Sequence, residues 1–115
     1  MQITIIDYGS GNLRSAAKAF EVAAGKNQRI VVSANREDIQ KASHVVLPGV
    51  GAFADCMSGI KSVAGLLEAL NEAVIERKRP FLGVCVGMQL LADVGYEHGK
   101  NKGLGWINGE VKAIK

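Results

Sequence analysis

The 115-residue sequence predicts a single α/β domain, an open parallel sheet with helices on both faces. Short apolar runs that end in glycine-rich or polar turns alternate with segments that carry apolar residues at helical spacing. Hydrophobic residues make up 48% of the chain, which is enough for one buried core. Strands that are apolar throughout and separated by helices are typical of parallel βαβ units, whose right-handed crossovers cover both faces.

The elements follow one another along the whole chain. Asn12 can cap the first helix, and Gly25 can end it. The longest helical region follows Pro48 and Gly49, and leucines at helical spacing make it strongest over 63–78. The predicted strands are 2–7, 29–33, 43–47 and 81–84, the predicted helices are 13–24, 35–42, 63–78 and 86–94, and 103–115 is predicted as loop and strand.

Composition and charge exclude several classes of function. The net charge of +3 is scattered, and its densest run, Arg77, Lys78 and Arg79, is typical of a solvated helix end, so no nucleic-acid partner is expected. No run approaches the ~20 apolar residues of a membrane span, and the N-terminus lacks a signal peptide. Cys56 and Cys85 fit neither a disulfide framework nor a metal site. We expect a cytoplasmic protein without metal, cofactor or membrane contact.

Three glycine-rich turns follow predicted strands: DYGSGN after the first, PGVGAF after the third, and GVCVGM around the fourth. In open parallel sheets, ligands bind beyond the carboxyl ends of the strands. Glycines also make ordinary tight turns, and any one of these turns alone is open to that interpretation. Their coincidence at three strand ends predicts a functional site at this edge of the sheet.

Cys85 lies between Gly83 and Gly87 in the pattern G-x-C-x-G. The same pattern with serine forms a nucleophile elbow, a sharp strand-to-helix turn that lifts the reactive side chain out of the sheet. The nucleophile of such a turn has a strained backbone, and the helix N-terminus behind it favours thiolate. The alternative is a small buried hydrophobe, which is what most free cysteines are.

The same turn predicts an oxyanion-binding site. The backbone N–H of Val86 faces the space in front of the thiol and can bind the oxygen of a tetrahedral intermediate. A second donor can come from PGVG, where flanking glycines free the N–H of Val50, with that of Gly51 as the second choice. Cys56 has no elbow around it and is predicted to pack in a helix.

These motifs carry a resemblance to a known family. GVCVGMQLL at 83–91 resembles the nucleophile motif of class I, triad-type glutamine amidotransferases, G-[IV]-C-x-G-M-Q. IIDYGSGNLRS and PGVGAF are similar to the glutaminase subunits of imidazole glycerol phosphate synthases. The similarity extends from residue 2 to about residue 110. It implies a flavodoxin-like open parallel sheet of the class I amidotransferase type.

The resemblance implies an enzyme that hydrolyses L-glutamine to glutamate and ammonia, with Cys85 as the nucleophile. It implies that Gln89 helps to hold the glutamine, and that the oxyanion-hole elements are Gly49, Val50, Gly51 and Val86. Ammonia would pass to a cyclase subunit, which makes imidazole glycerol phosphate and AICAR in histidine biosynthesis. In that heterodimer, Asn12 and Arg14 would lie at the interface with the cyclase subunit.

The chain departs from this family in its histidines. The family has a late His-x-Glu, which supplies the general base and the carboxylate that orients it. Here His44 starts the third predicted strand, at the wrong end, and Gly99 and Lys100 follow His98. We therefore expect 1–115 to be a partial amidotransferase domain, truncated at the C-terminus before that region, with negligible activity by itself.

Three alternatives remain open at this stage. One is the glutaminase of another biosynthetic complex, such as pyridoxal phosphate synthase, against which PGVGAF and DYGSGNL argue. Another is a non-catalytic flavodoxin-like docking domain. The third is a nucleotide- or flavin-binding domain, although DYGSGN lacks the third glycine of the dinucleotide fingerprint.

Overall fold

A computed structural model describes residues 1–114 of the chain. Its main sheet is parallel throughout, in the order β2-β1-β3-β4. The predicted parallel α/β fold is thus confirmed, and each predicted strand boundary lies within one residue of the observed one. The strands are β1 (Gln2–Ile6), β2 (Arg29–Ser33), β3 (His44–Leu47) and β4 (Phe81–Gly83).

Helices cover both faces of this sheet, as predicted. The Thr4 hydroxyl of β1 donates to the Asp38 carbonyl at 2.9 Å, so Thr4 faces α2. Ile3, which points the other way, lines an apolar cavity of about 180 Å³ together with Phe20 of α1. The helices are α1 (Leu13–Ala23) on one face and, on the other, α2 (Arg36–Gln40), α3 (Phe53–Ser62) and α4 (Leu66–Asn71).

The buried core lies between the sheet and α2, α3 and α4. Burying this much apolar side-chain surface is the main stabilising contribution, at about 25 cal/mol per Å². The layer between the sheet and α1 is less well buried, because α1 contributes no fully buried residue. The core includes Ile6, Ile39, Val45, Leu47, Phe53, Cys56, Ile60, Leu66, Leu70 and Leu90.

The first helix begins where the sequence predicts. The Asn12 side chain accepts a hydrogen bond from the Ser15 N–H at 3.3 Å, which satisfies one of the unpaired donors of the first turn. The helix ends at Ala23, and Ala24 is already extended, with φ −78° and ψ 151°. It therefore ends slightly before the predicted stop at Gly25.

The helical region between β3 and β4 is broken, which differs from the single element predicted as strongest over 63–78. Val63 is extended at φ −90° and ψ 113°, and Gly65 follows at φ 76°. Gly65 adopts this left-handed conformation without steric cost, and the chain turns there. α3 thus ends before the break, and α4 continues after it into a π-helical turn at Glu72–Glu76.

The predicted helix over 86–94 is wrong beyond its first turn. Only Val86–Gln89, α5, is helical, and Ala92–Gly95 is strand β5. In a longer helix, the Leu90 carbonyl would accept a hydrogen bond from an N–H of the next helical turn. Here it accepts instead from the Leu104 N–H, at 2.7 Å, so a residue farther along the chain replaces the helical partner. β5 lies in a second sheet, ordered β6-β5-β7, with β6 at Asn101–Lys102 and β7 at Ile107–Val111.

The C-terminal prediction of loop and strand over 103–115 is confirmed by β7, although Lys115 lies outside the described residues. The polar stretch 99–103 contains the short strand β6. Among residues 1–114, every helix is too short or too polar to cross a bilayer.

Candidate active site

The turns after β3 and β4 are in direct contact. In the register of the two strands, Leu47 lies opposite Gly83. A Cβ on Gly87 would overlap the Leu47 carbonyl, and a Cβ on Gly49 would come within 2.8 Å of the Gly87 nitrogen. The glycines of the two motifs therefore permit a backbone approach that no larger residue would allow.

Cys85 has the conformation expected of a nucleophile elbow. Its φ is 55° and its ψ −122°, and its side chain is exposed. A non-glycine residue in this region costs about 1–3 kcal/mol, so the surrounding fold must enforce it. Hydrogen bonds of about 3.0 Å on either side do so, from the Gly87 N–H to the Val84 carbonyl and from the Met88 N–H to the Cys85 carbonyl. The alternative of a small buried hydrophobe does not hold for Cys85.

The helix behind the thiol is shorter than predicted. α5 has four residues, Val86–Gln89, instead of the nine predicted over 86–94. A macrodipole sums the peptide dipoles along a helix, so four residues supply much less field than nine. The support that this helix can give to a Cys85 thiolate is therefore smaller than the sequence predicts.

The first predicted oxyanion donor is already hydrogen-bonded. The Val86 N–H donates to the carbonyl oxygen of Gly49 at 3.2 Å. An oxygen of a tetrahedral intermediate would compete with this carbonyl for the same hydrogen. In this conformation the Val86 N–H is not available to a substrate.

The second predicted donor is engaged as well. The Val50 N–H donates to the Ser10 hydroxyl oxygen at 3.1 Å, and the Ser10 hydroxyl lies 3.0 Å from the Val50 carbonyl. The carbonyl of Gly49 and the N–H of Val50 belong to one peptide unit. The orientation of that single peptide therefore occupies both predicted donors, and turning it over would release both.

The neighbours of this peptide leave it room to turn. Gly51 has φ 89°, and a Cβ placed there would meet no atom within 4 Å. Val50 is itself more than half exposed. The Gly49–Val50 peptide thus joins a tightly packed glycine to a valine that is more than half exposed, and the open, left-handed Gly51 follows that valine.

Tyr8 and Ser10, both in the DYGSGN turn, are site residues that the sequence reasoning missed. The buried Tyr8 hydroxyl donates to the Pro48 carbonyl at 2.5 Å, and burial raises the pKa of the Tyr8 phenol well above its usual value. The phenol therefore stays a neutral donor. The only available signal was the position of both residues in a turn already predicted to face the site.

Cys56 packs in α3, as predicted, and is fully buried. Its sulfur also lies 3.3 Å from the Ser10 hydroxyl oxygen and 3.4 Å from the Val50 carbonyl oxygen. Cys56 therefore supports the underside of the PGVG loop, while Cys85 is presented to solvent.

The remaining predicted site residues lie in the elements that directly follow two of the glycine-rich turns. Gln89 is half-buried at the end of α5, and its N–H donates to the Cys85 carbonyl at 3.3 Å. Asn12 and Arg14 are exposed at the start of α1, immediately after the DYGSGN turn. The structure thus brings the three glycine-rich turns to one edge of the sheet, with Cys85 among them.

Among residues 1–114, neither histidine forms a hydrogen bond with Cys85. His44 begins β3, about 10 Å of strand away from the turn after Leu47, and its Nδ1 lies 2.9 Å from the Ser43 hydroxyl oxygen. The His98 side chain is 84% exposed, and its Nε2 lies 3.9 Å from a carboxylate oxygen of Glu97. That neither histidine is the general base stays a prediction.

Comparison with known proteins confirms the resemblance seen in the sequence. Residues 4–110 match the family model described as glutamine amidotransferase class-I. The imidazole glycerol phosphate synthase subunit HisH of Rhodospirillum rubrum is 58% identical to the chain, covering 99% of the chain and 55% of the relative. The subunit of the same name from Zymomonas mobilis is 51% identical, covering 98% of the chain and 53% of the relative. The subunit of the same name from Brucella suis is 52% identical, covering 99% of the chain and 54% of the relative. The chain thus spans about half the length of the curated relatives it matches.

Proposed function

Because the chain belongs to the class I glutamine amidotransferase family, we propose that it carries the nucleophile of a glutaminase, Cys85. The observation that supports this most strongly is the conformation of Cys85, an exposed thiol at φ 55°. The Val86 N–H and the Gly49–Val50 peptide lie beside it. A sulfur held clear of the sheet next to two backbone amides suits acyl transfer.

In the proposed reaction, the Cys85 thiolate forms a bond to the side-chain amide carbon of L-glutamine, and the carbonyl electron pair moves to oxygen. The resulting oxyanion is stabilised by the N–H groups of Val86 and Val50. The electron pair of the oxyanion then re-forms the C=O bond, the C–N bond breaks, and the nitrogen leaves as ammonia with the proton that the Cys85 thiol gave up on becoming a thiolate. Water adds to the thioester carbon, the C–S bond breaks, and glutamate and the free thiol result. Gln89 helps to hold the substrate.

The oxyanion site must open before this reaction proceeds. The Gly49–Val50 peptide turns over, which removes the Gly49 carbonyl from the Val86 N–H and directs the Val50 N–H toward the thiol. Two hydrogen bonds must break, each worth about 0.5–1.5 kcal/mol net. A free-energy difference of this size between the closed and the open loop permits control of the activity by whatever binds beside the loop.

The proposed partner is the cyclase subunit of imidazole glycerol phosphate synthase, in a cytoplasmic heterodimer. The ammonia would be used there to make imidazole glycerol phosphate and AICAR. Support comes from relatives at 51–58% identity that carry the name of that synthase, which also favours it over pyridoxal phosphate synthase. Asn12 and Arg14, exposed beside the DYGSGN turn, are the proposed contacts with the cyclase subunit.

The chain 1–115 is proposed to be part of an amidotransferase domain and to have negligible activity alone, because His44 begins β3, away from the turn that holds Cys85, and His98 is exposed beside Glu97. Loss of a single member of a catalytic triad costs a factor of about 10⁴ or more.

Glutamate release from L-glutamine tests the proposal. We expect turnover by the intact protein with its cyclase subunit, none after Cys85→Ser, and unchanged turnover after Ser58→Ala, a change at an exposed position of α3. The chain 1–115 alone should release glutamate no faster than the Cys85→Ser variant. Turnover that survives Cys85→Ser would refute the assignment.

A further inference from the structure

The Tyr8 ring occupies a slot that two glycines leave open. A Cβ on Gly59 of α3 would come within 3.0 Å of the Tyr8 ring, and a Cβ on Gly49 would come within 2.7 Å of its hydroxyl oxygen. Tyr8 is almost completely buried between them. The ring is therefore fixed between the underside of the PGVG loop and the first helix after it.

The Tyr8 hydroxyl contacts Pro48, the first residue of the PGVG loop. It donates to the Pro48 carbonyl, the last backbone acceptor before the Gly49–Val50 peptide. Burial keeps the phenol neutral, so this donor persists over the whole physiological pH range. Ser10, by contrast, bonds the same loop from a partly exposed position. The loop thus has one buried, permanent attachment and one accessible attachment.

We propose that Tyr8 is a positioning residue for the oxyanion site: its hydroxyl fixes the Pro48 carbonyl, so that only the following Gly49–Val50 peptide turns when the site opens. If the Pro48 carbonyl could rotate as well, the Val50 N–H would adopt many orientations. In few of these would it point toward the Cys85 thiol. Preorganised donors stabilise an oxyanion because they need no reorientation during the reaction. This inference rests on the proposed function of Cys85.

The test compares two alkylating reagents at Cys85. A chloroketone analogue of L-glutamine reacts through addition of the thiolate to a ketone, which places negative charge on oxygen. Iodoacetamide reacts by displacement at a saturated carbon and forms no oxyanion. The ratio of the two rates therefore reports the oxyanion site, whereas a general change in thiol exposure or folding would alter both rates together.

We expect Tyr8→Phe in the intact protein to lower this ratio about 3- to 10-fold, the effect of losing one hydrogen bond. The iodoacetamide rate should stay unchanged. Tyr96→Phe is the matched control, because Tyr96 is exposed at the end of β5, and it should keep the wild-type ratio. An unchanged ratio in Tyr8→Phe would overturn the inference.

A second variant covers the case in which Tyr8→Phe does not fold. Gly59→Ala keeps the hydroxyl and displaces the ring, so it should lower the ratio, and a wild-type ratio there would also overturn the inference. Failure of the proposed function has a different signature. In that case the wild-type protein itself would show no preference of Cys85 for the glutamine analogue.

Discussion

The Val86 N–H donates to the Gly49 carbonyl at 3.2 Å, which joins the elbow of the nucleophile to the loop expected to complete its oxyanion site. The same peptide unit presents the Val50 N–H to Ser10. One orientation of one peptide thus closes the site by using both donors. The structure thus corresponds to a closed state of the proposed site, in which Cys85 is exposed and both proposed oxyanion donors are hydrogen-bonded to other residues.

Ser10→Ala should destabilise this closed orientation. The Ser10 hydroxyl oxygen accepts from the Val50 N–H, and the hydroxyl also lies at hydrogen-bonding distance from the Val50 carbonyl. Losing about 0.5–1.5 kcal/mol from the closed state alone should raise the rate of Cys85 labelling by the chloroketone glutamine analogue about 2- to 10-fold. The control is Ser58→Ala, an exposed position of α3 that should have no effect. A slower reaction in Ser10→Ala would mean that Ser10 supports the open state instead.

The strain at Cys85 should be measurable as stability. Cys85→Gly relieves a conformation that costs about 1–3 kcal/mol, whereas Cys85→Ala keeps the strain. Glycine loses part of this gain through the greater freedom of its unfolded chain, so we expect Cys85→Gly to be about 1 kcal/mol more stable than Cys85→Ala. Urea denaturation of both variants gives the difference. Equal stability, or a less stable glycine variant, would show that the elbow is not strained.

Gly87→Ala tests the contact between the two turns. The added methyl group would overlap the Leu47 carbonyl, so either the elbow or the end of β3 must move. We expect a loss of about 3 kcal/mol, the upper part of the usual range for overpacking. Gly25→Ala, where a Cβ would meet no atom within 4 Å, should change stability by less than about 1 kcal/mol. Urea midpoints that match between the two variants would contradict the close approach.

The sheet and the elbow could be predicted because their signals are local. Each strand is a short apolar run, and the glycines at 83 and 87 mark a close approach of backbones regardless of what lies elsewhere. The end of α5 at Gln89 could not be predicted in this way. It depends on the Leu104 N–H, which reaches back fourteen positions to the Leu90 carbonyl. Residues 90–94 have the composition of a helix, and tertiary hydrogen bonds override it.

The orientation of the Gly49–Val50 peptide could not be predicted from the sequence either. The motif PGVG permits the Gly49–Val50 peptide to point either way, because Gly49, on one side of this peptide, tolerates unusual dihedral angles. The choice is made by contacts with Ser10 and Val86, which belong to other turns. Glycines in a sequence thus predict where a backbone can turn, and only the packed structure gives its orientation.

Labelling of the intact protein with the chloroketone glutamine analogue, followed by mass spectrometry of the modified peptides, tests the central claim most directly. The exposed Cys85 should carry the adduct, the buried Cys56 should be spared, and excess L-glutamine should slow the reaction. Equal modification of both cysteines, or a Cys85 rate that L-glutamine leaves unchanged, would contradict the assignment of Cys85 as the nucleophile of a glutamine site.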